Sequence, residues 1–114
     1  MKAHKAAVIP PYQTGAVALN LRVATPPDHF MYLLSRSGLA LRGITVEGGV
    51  IDSDYTGEIK AILKNSTPIP FKIQKGQRVA QAIFLPVVRA NFQTVEDLSN
   101  QDGPQHIGFG STGI

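Results

Sequence analysis

Two carboxylates, an aromatic ring and a glycine stand close together in the stretch GVIDSDYTGEIK, residues 49–60. Asp52 could orient and deprotonate a water molecule, and Tyr55 could stack on a ligand or exclude a substituent from it. The same residues suit a turn between two strands, because Asp and Gly tolerate bent backbone. Taken alone, the stretch indicates either a hydrolytic site or a hairpin turn.

Two further clusters carry groups that suit phosphate oxygens. Arg36, Ser37 and Gly38 combine a guanidinium fork, a hydroxyl and the backbone N–H groups of a turn. Arg78 and Gln81 stand where an apolar stretch begins, so both could donate hydrogen bonds from the start of a strand. The alternatives are an ordinary polar loop for the first cluster and outward-facing strand residues for the second.

A fourth cluster, GFGSTG, occupies residues 108–113. Its glycines permit close approach to a ligand, and Phe109 could stack on a base. Ser111 and Thr112 could bind phosphate. The alternative is a polar, Gly-rich tail without a core pattern.

Composition excludes several other chemistries. The chain has no cysteine, which removes disulfides, thiolate zinc sites and cysteine nucleophiles. His4, His29 and His106 are far apart and show no metal spacing. The net charge of +3 is spread without a run of Lys or Arg, and no apolar run reaches the roughly 18 residues of a membrane span. We therefore expect no nucleic-acid partner, no membrane association and an intracellular location, cytoplasmic or nuclear.

The elements that must position these clusters are short strands. Eleven glycines and eight prolines separate brief apolar runs, which predicts an all-β barrel or sandwich in one domain. Residues 35–43 are predicted to form a turn, a helical turn or a loop, and residues 64–70 a loop. Residues 92–98 suit a final strand or an extended arm. The predicted strands lie at 15–23, 30–34, 44–46, 49–51, 58–63, 71–73 and 78–88.

Two of these strands carry specific predictions. In the run 15–23, Val17, Leu19, Leu21 and Val23 alternate with other residues and should face one side. The run 78–88 is the longest, and its apolar middle predicts burial on both faces. The domain is assigned to residues 1–98, and residues 99–114 form the C-terminal arm, which is expected to be flexible.

The clusters together say more than each does alone. SRSGLA, GGVIDSDYTGEI, KGQRVAQ and GFGSTG, in that order, resemble motifs two to five of the trimeric dUTPase family, from about Thr14 to the C-terminus. That family hydrolyses dUTP to dUMP and pyrophosphate, with Mg²⁺ held mainly by the triphosphate. Its fold is a jelly-roll-like β-barrel, and three subunits build three shared sites. The resemblance implies a homotrimeric enzyme with dUTP as substrate and Mg²⁺ as cofactor.

The resemblance also implies roles for individual residues. Asp52 would orient and activate the attacking water, and Tyr55 would lie against the deoxyribose and reject a ribose 2′-hydroxyl. No side chain is assigned as a metal ligand. The other residues implied to bind substrate are Gly49, Val50 and Ile51 at the uracil edge, Arg36, Ser37, Gly38 and Gln81 at the phosphates, and Phe109, Ser111 and Thr112 on the arm, with Phe109 stacking on the uracil of another subunit's site.

The chain departs from the family pattern at three places. The family's first motif, A-G-x-D-L, whose Asp helps to hold hydrated Mg²⁺, has no counterpart before Ser35; residues 14–23 resemble a later family strand. The arm lacks the Arg that family members carry shortly before GFG, and Ser35 replaces a usual Pro.

These departures leave alternatives open. The chain is either an active, shortened dUTPase or a catalytically impaired derivative that binds nucleotides or proteins. Its last residues, Thr112-Gly113-Ile114, match the Thr-x-Ile pattern of PDZ ligands, which would suit protein interaction. A remnant that lacks an N-terminal strand is the third possibility.

Overall fold

The computed structural model describes residues 1–96 of the chain. In that part, eight strands and one short helix follow one another, and turns join them. In chain order they are β1 (Ala7–Ile9), β2 (Thr14–Leu21), β3 (His29–Leu34), α1 (Ser37–Leu41), β4 (Ile44–Glu47), β5 (Val50–Asp52), β6 (Ile59–Asn65), β7 (Phe71–Ile73) and β8 (Gln81–Pro86).

The strands form three antiparallel sheets around one core. β1 pairs with β7, β6 lies between β2 and β4, and β3 lies between β5 and β8. Side chains from all three sheets, among them Ile9, Met31 and Leu63, are almost wholly buried together. The prediction of an all-β domain is confirmed, and residues 35–43 contain the predicted helical turn.

β6 shows why the alternation rule works where one sheet face is buried. Ile59, Ala61 and Leu63 face the core, while Lys60 and Lys64 face outward. The strand continues two residues into the predicted loop, and its seventh side chain, that of Asn65, also points inward.

β2 departs from the predicted alternation at its end. Val17 and Leu19 are buried as expected, but Asn20 adopts a left-handed φ of 55° and the pairing with β6 shifts between Ala18 and Leu21. An irregularity of this kind turns the following residues to the other face. Leu21 is consequently 40% exposed, so the prediction that it shares the buried face is wrong, whereas Val23 packs partly against the core.

β8 departs more strongly from its prediction. The strand covers only residues 81–86, and Ile83, Phe84 and Leu85 are 41%, 50% and 37% exposed. Neighbouring strand residues point to opposite faces, so β8 exposes apolar groups on both. The prediction of burial on both faces is wrong for the single chain, in which β8 is an edge strand with β3 on one side. Only Val79 and Ala80, just before it, are fully buried.

The ends of the described part complete the fold. Residues 91–95 form no regular element, so no final strand begins there. The predicted boundary between residues 98 and 99 and the whole arm lie outside the described residues. Within residues 1–96, no helix is long and apolar enough to span a lipid bilayer.

Candidate functional site

β3 sets the spacing of the predicted site, because the two strands beside it carry Asp52 and Gln81. On one side, Phe30 pairs with Asp52 of β5. On the other, Leu34 pairs with Gln81 of β8. Four residue steps separate Phe30 from Leu34, which corresponds to about 13 Å along a strand. Asp52 and Gln81 of one chain therefore lie towards opposite ends of β3.

Two glycines carry the chain from β4, in one sheet, into β5, in another. Gly48 and Gly49 have φ values of 65° and 95°, which favour glycine. The N–H of Leu33 donates to the carbonyl oxygen of Gly49 at 2.8 Å, and a Cβ at position 49 would lie 2.5 Å from the Leu33 carbonyl oxygen. Gly49 thus permits the close approach of β5 to β3. Because β5 is an edge strand, the other side of its backbone is free to meet a ligand.

The stretch that follows β5 is a turn, but not a β-hairpin. The N–H of Tyr55 donates to the carbonyl oxygen of Asp52 at 3.1 Å, which closes the turn. The flanking strands do not pair with each other, since β5 pairs with β3 and β6 pairs with β2 and β4. The hairpin prediction is therefore wrong: the turn connects two sheets and projects its side chains at their junction.

Asp52 and Tyr55 meet in a surface cleft of ≈ 370 Å³ at this junction. Both side chains are exposed, and the Tyr55 hydroxyl donates to the carbonyl oxygen of Glu58 at 2.8 Å. The cleft offers a carboxylate, an aromatic ring and an open strand edge side by side. Its lining residues are Val50, Ile51, Asp52, Asp54 and Tyr55.

A second cleft, of ≈ 310 Å³, shares Asp52 and Asp54 with the first and adds an imidazole and a guanidinium group. His29 and Arg89 line its other side. A loose ion pair between Arg89 and Asp28, with 3.7 Å between Nε and Oδ1, lies beside it. Asp52 is thus open to solvent on two sides, which suits a carboxylate that must meet water.

The predicted phosphate residues meet in a third cleft of ≈ 430 Å³ around α1. Arg42 also lines this cleft, although sequence reasoning did not single it out. The signal was its spacing of six residues from Arg36, which a short helix and turn bring back to the same side. The lining residues are Arg36, Ser37, Gly38, Leu39, Arg42 and Gln81.

Hydrogen bonds fix the walls of this third cleft. The Gln81 side-chain amide donates to the carbonyl oxygen of Ser35 at 2.9 Å, and the Val46 N–H donates to the Ser35 hydroxyl at 2.9 Å. Ser35, where the family usually has Pro, therefore ties α1's approach to β4. Arg78 is not among the lining residues; its backbone forms a bridge with Lys2.

Two cations, Arg36 and Arg42, line the third cleft. The pKa of the Met1 amino group, which donates to the Ala80 carbonyl oxygen at 2.9 Å, lies below its ordinary value. Burial is the largest cause, and the nearby cations Arg36, Arg78 and Lys2 add to it. A surface that disfavours another cation favours an anionic ligand.

The described residues do not by themselves form a metal cage. Within residues 1–96, no three His, Asp or Glu side chains lie close enough to hold an ion. Mg²⁺ commonly binds through one or two carboxylates together with substrate phosphates, so the exposed pair Asp52 and Asp54 fits that pattern. The residues of the arm that are predicted to bind substrate, Phe109, Ser111 and Thr112, lie outside the described residues.

Comparison with protein families agrees with this geometry. A family model described as dUTPase matches residues 1–113. The chain belongs to the dUTPase family. The match begins at residue 1, upstream of the Thr14 start that the motifs indicate.

Known proteins similar to the chain carry the same family name. A deoxyuridine 5′-triphosphate nucleotidohydrolase of Candida albicans is 38% identical over 112 residues, covering 96% of this chain and 70% of that protein. The Hydrogenobaculum protein of the same name is 41% identical, with 94% and 76% covered. The cowpox virus protein is 37% identical, with 93% and 71% covered.

Solved dUTPase structures share the fold. The native EIAV dUTPase aligns with a TM-score of 0.73 and 29% identity, covering 83% of this chain and 79% of that one. A Staphylococcus bacteriophage 80alpha dUTPase G164S mutant with dUpNHpp aligns with a TM-score of 0.75 at 21% identity, covering 85% and 74%. The second likeness concerns the fold alone. Together they support the dUTPase β fold predicted from the motifs.

Proposed function

We propose that this chain hydrolyses dUTP to dUMP and pyrophosphate. The observation that carries the proposal is the cleft in which Asp52, Tyr55 and the open edge of β5 lie side by side. Relatives named deoxyuridine 5′-triphosphate nucleotidohydrolase, 37–41% identical to the chain, support it further. They do not favour the alternative of an impaired binding or interaction module.

In this proposal Asp52 is the general base. Its carboxylate faces solvent on two sides of the turn, so it can accept a proton from a water positioned for attack on a phosphate. Tyr55 lies against the deoxyribose and leaves no room for a 2′-hydroxyl. The backbone of Gly49, Val50 and Ile51 reads the uracil edge, since hydrogen-bonding groups of an edge strand remain available on one side.

The third cleft is proposed to bind phosphate oxygens. Arg36 supplies a planar fork of donors, and Ser37 and Gly38 supply a hydroxyl and backbone N–H groups at the start of α1. Gln81 already donates to the Ser35 carbonyl, so we assign it to both positioning and phosphate contact. Positioned donors stabilise the charge that develops on the oxygens during hydrolysis.

The proposed site needs two further contributions, one from the C-terminal arm and one from a metal ion. In the arm, residues 99–114, Phe109 is proposed to stack on the uracil, and Ser111 and Thr112 to contact the phosphates. Mg²⁺, held mainly by the triphosphate, would neutralise phosphate charge, and Asp54 is the carboxylate of the first cleft that the general-base role leaves free to contact it. An intracellular location, cytoplasmic or nuclear, is part of the proposal because nucleoside triphosphates are intracellular metabolites.

We further propose that the site is completed in a homotrimer. Two observations support this: Asp52 and Gln81 lie about 13 Å apart along β3, and β8 exposes Ile83, Phe84 and Leu85. Association would cover the apolar strand β8. It would also bring the first cleft of one copy, proposed to bind the nucleoside, to the third cleft of another copy, proposed to bind the phosphates. A monomeric mass in light scattering at micromolar concentration would contradict the shared site.

The experiment is pyrophosphate release from dUTP by the purified chain, with and without Mg²⁺. We expect Mg²⁺-dependent release, and loss of kcat by about 10²–10⁴-fold in Asp52→Asn with dUMP binding retained, because general-base catalysis contributes that much. Asp28→Asn is the matched control: its ion pair is exposed, and Asn tolerates the left-handed φ of 60° there. If the wild-type chain released pyrophosphate no faster than Asp52→Asn, the proposal that the chain is an enzyme would be refuted.

A further inference from the structure

Gly57, in the turn between β5 and β6, is a glycine that the backbone does not require. Its φ lies outside the left-handed region that Gly48 and Gly49 occupy. An alanine would therefore meet no left-handed strain here. The contact that a side chain at this position would make is a second possible reason for a glycine.

The missing side chain would collide with Tyr55. A Cβ built on Gly57 would lie 2.6 Å from the Tyr55 Oη, 2.8 Å from its Cζ and 3.2 Å from its Cε1. All three atoms belong to the Tyr55 side chain, and carbon atoms normally pack at about 3.5–4.0 Å. The ring occupies the space over the turn that glycine leaves free.

The ring is also held in that space by its hydroxyl. Tyr55 Oη donates to the carbonyl oxygen of Glu58 at 2.8 Å. The ring is thus folded back over its own turn, with 46% of the residue exposed towards solvent and the cleft. Two contacts, one steric and one a hydrogen bond, define where its exposed part lies.

We propose that Gly57 is a positioning residue for sugar selectivity. By lacking a side chain, it lets the Tyr55 ring lie close over the turn at a fixed distance from the sugar, where a 2′-hydroxyl is excluded. This inference rests on the proposed function, and it adds a selectivity role for a residue that does not contact the substrate. A methyl group at position 57 displaces the Tyr55 ring and breaks the hydrogen bond from its hydroxyl to Glu58. A misplacement of about 1 Å in a site is enough to alter reaction rates strongly.

The test compares dUTP with UTP. In Gly57→Ala we expect the ratio of kcat/KM for dUTP to kcat/KM for UTP to fall by about tenfold or more, since selectivity depends on placement of the excluding group. Tyr55→Phe, which keeps the ring and loses the tether, should give a smaller fall. Gly15→Ala in β2 is the matched control, because its Cβ meets only Ile9, at 3.3 Å or more, and the ratio should stay unchanged.

A double mutant separates positioning from general damage. In a Tyr55→Ala background, Gly57→Ala should cause no further change in the ratio, because the ring it displaces is absent. An equal loss with both nucleotides in Gly57→Ala, or the same change with and without the Tyr55 ring, would overturn the proposal.

Nuclear magnetic resonance of the ligand-free protein tests the ring position independently of turnover. We expect cross-peaks between the Tyr55 ring protons and the Gly57 Hα protons, and a shift of the Glu58 carbonyl carbon in Tyr55→Phe. If wild-type protein released no pyrophosphate, the proposed function would fail while these signals still decided the ring position. Their absence from a folded, active protein would overturn the inference alone.

Discussion

Asn65 is the side chain whose loss should cost the fold most, because it joins three segments from inside the core. It is 0% exposed. Its amide nitrogen lies 3.1, 3.3 and 2.8 Å from the carbonyl oxygens of Ile9, Pro10 and Ile69, so one of its two N–H groups is shared between two acceptors. Its Oδ1 accepts from the N–H and hydroxyl of Thr67, at 3.0 and 2.7 Å. Asn65→Ala would remove every one of these bonds.

The expected magnitude follows from which partners water can reach. The Ile9 carbonyl is buried, so leaving it unpaired costs about 1–3 kcal/mol. The bonds to Pro10, Ile69 and Thr67 are partly buried, and each lost net hydrogen bond costs about 0.5–1.5 kcal/mol. We therefore expect Asn65→Ala to lower the free energy of unfolding by about 4 kcal/mol, a large share of the roughly 5–15 kcal/mol of a typical domain.

Equilibrium unfolding in urea, followed by far-ultraviolet circular dichroism, measures this loss. Asn91→Ala, at an exposed asparagine, is the matched control and should change stability by less than about 0.5 kcal/mol. Thr67→Val, which removes only the hydroxyl bonds, should fall between the two and remains measurable if Asn65→Ala does not fold. A loss below about 1 kcal/mol in Asn65→Ala would refute the hydrogen-bond reasoning.

The isosteric change Asn65→Asp gives a pH signature. The introduced carboxylate would face three carbonyl oxygens in a buried place, which raises its pKa above the value in the unfolded chain. The variant's penalty is then greatest above that folded-state pKa and shrinks as pH falls through it, because the protonated acid can donate one bond. Stability of Asn65→Asp relative to the wild type should improve on acidification.

Two further predictions concern the site. Gly49→Ala should destabilise the chain by about 3 kcal/mol or more, since it adds left-handed strain to a collision with the Leu33 carbonyl oxygen. Gly38→Ala is the control in the same urea assay and should be nearly neutral, because there is open space around its Cβ. Equal losses of stability in the two variants would contradict the reasoning. Arg42→Gln should raise KM for dUTP by about tenfold and change kcat by no more than about threefold, because a charged donor to phosphate is lost. Arg22→Gln, at an exposed arginine just beyond β2, is the control. An unchanged KM in Arg42→Gln would show that Arg42 does not bind phosphate in the third cleft.

Sequence patterns predicted the elements wherever one sheet face is buried in a single chain. β6 follows the alternation residue by residue, because its core face must be apolar and its outer face must meet water. The same rule missed Leu21, since a local register shift at Asn20 depends on pairing with β6 that the run itself does not encode. Asn65 was placed in a loop because a polar residue gives no sign that five hydrogen bonds await it in the core.

The motifs predicted which residues lie in the same cleft, but not which sheet carries each strand of the site. Val50, Ile51, Asp52 and Tyr55 share one cleft, and Arg36, Ser37, Gly38 and Gln81 share another. Spacing along the chain could not indicate that β5 and β6 join different partners, so the expected hairpin became a junction between sheets. Arg42 escaped notice because its spacing of six residues from Arg36 becomes informative only once α1 is known to bring both residues to one cleft.

The error at β8 connects the fold to the proposed mechanism. β8 is predicted to be buried, yet it exposes Ile83, Phe84 and Leu85 within residues 1–96, and an apolar surface of this kind favours contact with another molecule. The same strand begins at Gln81, in the phosphate cleft, whereas Asp52 lies towards the far end of β3. In the proposed trimer, covering β8 and joining the two clefts depend on the same contact. Phe84→Glu should therefore dissociate the trimer and abolish turnover together, while dUMP still binds weakly to the separated chain.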